Sequence, residues 1–184
     1  PFIAAIDRAG LINQKSARRY LRVLKPVRVE IDGKFSELVP YARGFRLTVE
    51  IDFPTALIGR QKKTLDLTAE SFRNELQHAR TFGFLKDVDH LRKAGFALGA
   101  SLENTVAIDG DQILNPEGLR YRDEFIRHKM LDAVGDLALA GLPIIGHFRS
   151  WCSGHRMNVA VLEALFADRT AYEIIEDKRS EAVL

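Results

Sequence analysis

Three side chains able to hold a metal or move a proton recur at intervals of four in the stretch RYRDEFIRHKMLDAVGDLALA, residues 120–140: His128, Asp132 and Asp136. On a helix an i,i+4 step turns only about 40°, so the three form a line along one side. Ile126, Met130, Ala133, Val134 and Leu137 make an apolar stripe roughly opposite. Amphipathic helices commonly present such a polar line to solvent. A His and an Asp four apart can also offer one nitrogen and one oxygen to a single metal ion, as HExxH offers two nitrogens. Gly135, in the middle of the stretch, costs about 1 kcal/mol relative to Ala and is expected to mark a close approach. Asp123 and Glu124 stand where a first helical turn favours negative charge, and Gly141-Leu142-Pro143 supplies the stop.

Two further residues join this group. His155 follows Gly154 at an expected helix start, where a cationic imidazole needs a carboxylate to support it, and Asp136 is the candidate. Thr81 offers a hydroxyl from an expected strand. Lys129, Arg149 and Arg156 could gather around a phosphate, although solvated faces use the same residues. His78, His90 and His147 lack a partner at useful spacing, and Cys152 reads as a small semi-buried hydrophobe.

The elements that must position these groups are mixed. Phe2–Ala9 is expected to be a helix ended by Gly10, and SARRYLR a connector into strand. Residues 20–32, 36–41 and 44–53 alternate as strands do, with Asp32-Gly33 as a hairpin turn. Residues 57–63 read as a basic loop, 64–68 as a strand, and 69–78 as a helix capped by Thr68. Strand 80–84, helix 86–94 and a strand pair over 104–114 turning at Asp109-Gly110 form a small β-α-β unit. Strand 143–151, a helix from His155 to Phe166 and strand 170–175 close the chain. Without strict βα alternation, the fold class is α+β: a two-layer sandwich of one mostly antiparallel sheet packed on helices, with the β-α-β unit inserted.

Composition sets the bounds. The chain has 184 residues, 46% hydrophobic and 28% charged, as an ordinary globular protein does. A net charge of +2 is too small to argue for nucleic acid or an anionic membrane as partner, and no nucleic acid is expected. One cysteine excludes an internal disulfide and suits a reducing, cytoplasmic setting; no apolar run reaches membrane-spanning length. The chain opens on PFIAAIDRAG rather than Met, which leaves room for an upstream region.

The stretches FIRHKMLDAVGDL (125–137), GHRMN (154–158) and ARTFGF (79–84) resemble the zinc-dependent UDP-3-O-acyl-N-acetylglucosamine deacetylases of lipid A biosynthesis, in which the three motifs keep the same chain order. The resemblance runs through nearly the whole chain, including PFIAAIDRAG and RVEIDGK. It implies that His128 and Asp132 are two of three zinc ligands, that Thr81 helps hold an oxyanion, and that His155, oriented by Asp136, is the general acid. It places Lys129 near the substrate's phosphates, Phe82 and Phe84 beside the hexose and acyl group, and Leu85, Val88, Ala97 and Leu102 along an acyl passage. Many members make a phosphate contact with a Lys where this chain has Cys152; here either Arg149 or Arg156 would replace it, or the contact would be missing.

The family's third ligand and general base, in a Glu-His-Leu motif, have no counterpart in this sequence. The resemblance therefore implies a C-terminal half: residues 1–16 as the last helix of an absent N-terminal domain, and 17–184 as the second domain, with its β-α-β insert at about 81–107. The implied reaction is hydrolysis of an N-acetyl group with release of acetate, with the N-terminal half as partner. Two rivals stand beside it: a non-catalytic sugar-nucleotide or protein-binding module of the same fold, and a half that acts only on association with a separate chain.

Overall fold

The computed structural model describes residues 2–93, 95 and 98–177, and of these the backbone alone at 89–92 and 177. Helix α1 (Phe2–Ala9) ends at Gly10 and is tied to the rest through Asp7, which accepts from Arg73. Four strands follow: β1 (Arg18–Val23), β2 (Val27–Ile31), β3 (Lys34–Val39) and β4 (Phe45–Phe53). The expected strand at 20–32 is thus two. Pro26 has no N–H for a ladder, and the chain changes neighbours there, β1 pairing β10 (Tyr172–Asp177) and β2 pairing β3. Asp32 and Gly33 both take positive φ, the backbone of a type I′ turn, as the sequence predicts.

The expected loop at 57–63 is mostly strand: β5 runs Gly59–Leu67 and pairs along all of β4. Thr68 caps the next helix through a reciprocal pair of bonds with Ser71, but α2 (Ala69–Ser71) passes into a π-helical turn at Phe72–Leu76 instead of running to His78. The β-α-β unit is present as β6 (Thr81–Phe84), α3 (Leu85–Lys93) and β7 (Thr105–Asp109), with β6 and β7 parallel. A short β8 (Gln112–Ile113) completes a separate three-stranded sheet.

Helix α4 covers Glu124–Leu137 and tightens into a 3-10 turn at Ala138–Ala140. It starts later than the sequence suggests, because the Glu124 carboxylate accepts the Arg120 N–H and holds residues 120–123 in a loop. Strand β9 (Ile144–Trp151) leads to α5 (His155–Ala167) and β10.

Among the described residues the larger sheet has seven strands, mostly antiparallel in its pairings, with two parallel ones at its centre. Its middle strand is β9, parallel to β4 on one edge; the other edge is shared, Ile144-Ile145 pairing parallel with β1 and His147–Trp151 antiparallel with β3. The fork falls at Gly146, where a Cβ would stand 2.9 Å from Val23 Cγ2, so only glycine lets β1 this close. Helices α4 and α5 cover one face. Ile126, Met130, Ala133 and Leu137 of α4, with Val161, Leu162 and Leu165 of α5, pack on Leu21, Leu38, Leu47, Val49 and Phe148 of the strands. The other face is polar, with cross-strand pairs such as Arg46–Asp66 and Arg22–Glu173. No helix among the described residues is long and apolar enough to cross a membrane.

Candidate active site

The apolar stripe of α4 fixes its rotation against the sheet, and that rotation turns the polar line sideways, with His128 beside Ala79 and Phe82 and Asp136 beside His155 of α5. His128 and Asp132 are both largely covered, and His128 Nε2 stands 3.1 Å from Asp132 Oδ1. The other ring nitrogen, Nδ1, faces the Ala79 carbonyl at 3.4 Å. This backbone contact turns Nε2 towards Asp132. Two ligand atoms bound to one zinc at about 2.0–2.2 Å in tetrahedral geometry stand about 3.4 Å apart, so the pair has close to the spacing of one edge of such a site. Burial pushes the Asp132 carboxyl up, but hydrogen bonding and attraction from His128 and then Lys129 outweigh it and hold Asp132 below its ordinary value. Lys129 Nζ meets the other Asp132 oxygen at 3.1 Å. Among the described residues no group of three His, Cys, Asp or Glu could hold a metal ion. The donor types, one imidazole nitrogen and one carboxylate oxygen, are ones that zinc accepts.

One turn further on, Asp136 accepts from His155 Nδ1 with both carboxylate oxygens at 2.9 Å. His155, the first residue of α5, is 69% exposed, while Asp136 is largely covered. The imidazole is therefore held from behind with its far nitrogen facing outward. The expectation attached to Gly135 fails: no heavy atom comes within 4 Å of a Cβ built there, and the residue is exposed.

Thr81 opens β6, exposed, between two residues that touch α4. The Phe82 ring stands edge-on to His128 at 6.3 Å and edge-on to Phe125 and Phe53 at 5.0 and 5.5 Å. On the other side of Thr81, Arg80 is buried against Glu124. Phe84 leans on Phe53 at 6.5 Å, and both rings are partly buried against the core. Leu85 and Leu102 are exposed and Val88 is half-buried, an apolar surface on the β-α-β unit; Ala97 lies outside the described residues. Arg156 is exposed on the first turn of α5. Arg149 departs from the expected phosphate cluster. It points to the outer face of the sheet, 3.4 Å from Glu37, because it alternates with the core residue Phe148. Cys152 takes a positive φ after β9, and burial pushes its thiol up.

Two sets of polar residues are not apparent from the sequence. The Glu124 carboxylate, fully buried, accepts from Arg80 Nε and Nη2, from the Arg80 N–H, and from the Arg120 N–H. Burial pushes this carboxyl up, but those hydrogen bonds together outweigh it and leave it below its ordinary value. Glu124 thus directs its charge to Arg80 rather than to its helix dipole, and so pins residues 79–81 against His128. The second set is Asn158, Ser36 and Ser153. Asn158 Nδ2 donates to Asp136 Oδ2 at 2.9 Å, and Ser153 Oγ donates to Asn158 Oδ1 at 2.8 Å. Nothing in the spacing around Glu124 hints at the first set, since Arg80 lies far off in sequence; the Gly-His-x-x-Asn spacing is the one hint of the second.

Residues 1–167 match the family model described as UDP-3-O-acyl N-acetylglycosamine deacetylase. Proteins named UDP-3-O-acyl-N-acetylglucosamine deacetylase from Brucella ovis, Brucella canis and Brucella abortus are each 56% identical to this chain over 176 residues. Those alignments cover 95% of this chain and 61% of each relative, so the chain spans about three-fifths of the length of the curated relatives it matches.

Proposed function

The chain belongs to the UDP-3-O-acyl N-acetylglycosamine deacetylase family, and from that premise we propose that it supplies the greater part of a zinc-dependent amidohydrolase site. The reaction is hydrolysis of the N-acetyl group of UDP-3-O-acyl-N-acetylglucosamine, releasing acetate, in lipid A biosynthesis. The observation that carries the proposal is the single line on α4: a His–Asp pair at ligand spacing, followed one turn later by a carboxylate that holds an exposed histidine. A binding module needs no such line.

In this reading His128 and Asp132 hold the zinc, which when bound polarises the amide carbonyl and lowers the pKa of a water towards about 7. The Ala79 carbonyl orients His128, and Lys129 covers the remaining Asp132 oxygen. The Thr81 hydroxyl donates to the oxyanion that forms as the carbonyl carbon becomes tetrahedral. His155, its Nδ1 held by Asp136, delivers a proton from Nε2 to the leaving nitrogen as the C–N bond breaks. Lys129 and Arg156 face the phosphates, Phe82 and Phe84 flank the sugar, and Leu85, Val88 and Leu102 line the acyl chain. The third ligand and the general base belong to the part of the family's length that this chain does not span, and residues 1–16 are the end of that other unit.

Calorimetric titration with Zn²⁺, followed by an acetate-release assay, tests the proposal. The chain alone should bind zinc weakly, lose that binding in His128→Ala and Asp132→Ala, and turn over poorly; the remaining family segment, added separately, should restore tight zinc and activity. Zinc binding untouched by both substitutions would overturn the metal assignment. Tight substrate binding with no turnover in either state would favour the binding module.

A further inference from the structure

We propose that Asn158 is a positioning residue for His155, and that it is set in turn by two serines of the sheet and its outgoing loop. The proposal rests on the deacetylase reading only in giving His155 its use. The geometry is a chain of hydrogen bonds through the core. Ser36, on β3 and fully buried, meets Ser153 Oγ at 2.6 Å and stands 3.2 Å from Asn158 Oδ1, to which it can donate. Ser153 donates to the same oxygen. Asn158, 3% exposed on α5, donates from Nδ2 to Asp136 Oδ2 on α4, and Asp136 accepts from His155 Nδ1.

Direction along this chain is forced. An ionised carboxylate only accepts, so the Asn158 amide must turn its NH2 to Asp136 and its oxygen to the serines. A serine hydroxyl must then donate to that oxygen, and the pair of serines shares its two protons between Asn158 and each other. With one oxygen of Asp136 claimed by a buried amide, the carboxylate cannot rotate away. The neutral His155 ring is then locked as the Nδ1–H tautomer, which leaves Nε2, on the exposed side of the ring, as the nitrogen that exchanges its proton. A substitution at Ser36, on β3, is therefore felt at the His155 ring.

The test is the tautomer of His155 by long-range ¹H–¹⁵N correlation on the chain as it stands, at pH about 9, where an ordinary histidine is neutral. Wild type should show the Nδ1–H form with a slowly exchanging Nδ1 proton. Asn158→Leu should lose that proton and give a mixture. Because burying Leu beside Asp136 can impair folding, the double variant Ser36→Ala/Ser153→Ala serves as the second arm. It keeps the packing, frees the amide, and should also lose the protected proton. Gly146→Ala, which strains the β1–β9 contact outside this chain of bonds, should keep it, separating positioning from general loosening. An Nδ1 proton that persists in both polar variants overturns the proposal. A wild type without acetate release in the assembled enzyme would defeat the deacetylase reading and leave the tautomer result standing.

Discussion

Glu124→Gln tests what the buried Arg80–Glu124 ion pair contributes to the fold. In the wild type four N–H groups converge on one carboxylate, three of them from Arg80, whose guanidinium is almost fully covered. Glutamine keeps one acceptor oxygen and turns an NH2 towards the donors that used the other. About two charge-assisted bonds are lost, each worth ~1.5–3 kcal/mol, and the Arg80 cation is left with Glu117 and the Gly118 carbonyl. Breaking a buried pair from one side costs ~3–5 kcal/mol, in agreement with that count. Urea unfolding should show the loss at constant m, and the thermal midpoint should fall by roughly 6–20 °C. Arg80→Met/Glu124→Leu should recover much of it, since no charge stays uncompensated. The pH dependence has a definite sign. The folded Glu124 value lies below its ordinary 4.5, so its contribution is complete above that and is lost as pH falls through the lower folded value. Glu124→Gln should flatten that acid limb. A loss under about 1 kcal/mol, or an unchanged acid limb, would refute the reasoning.

Gly146→Ala should destabilise by ~1–3 kcal/mol, because the new methyl meets a stiff β-branched side chain; a neutral or stabilising result in urea would show that β1 can shift away. The Asp168 carboxyl is held at about 2 by Lys25 and Thr170, so its ¹³C titration should have its midpoint there, and its contribution should be present above 3.8 and lost as pH falls through about 2. A midpoint near 3.8 would mean that the Lys25 contact does not form in solution.

What can be read from the sequence follows distance along the chain. The α4 line depends on i,i+4 geometry alone, and His155 is legible because Gly-His marks a helix start. The first half of β5, residues 59–63, reads as a loop because its inward positions include Gln61 and Lys63. Lys63 is paired with Glu75 and Asp123, remote in sequence, and the Gln61 NH2 donates to the Ile58 carbonyl just before the strand. Arg80–Glu124 and Ser36–Asn158 are hidden for the same reason, since a charge or a hydroxyl gives no sign of burial until the residue opposite it is known. Arg149 falls outside the phosphate cluster expected from the sequence because strand parity places it on the face away from the helices.

Strand β1 has both of its neighbours far downstream, with Leu21 opposite Ile144 and Tyr20 opposite Ile175. A ribosome adding 5–20 residues per second needs roughly 6–25 s to pass from Leu21 to Ile144. For that time the β1 segment has neither of its partners, and its apolar residues are exposed, the kind of segment that pairs with the wrong chain. Its sequence, RRYLRV, places arginines at 18, 19 and 22 around Tyr20, Leu21 and Val23. Those charges act as gatekeepers during synthesis, and Arg22 later finds Glu173 when β10 arrives to close the sheet. Pairing β1 with β9 and β10 closes a loop that takes in most of the described chain, and non-local pairings of this kind slow folding.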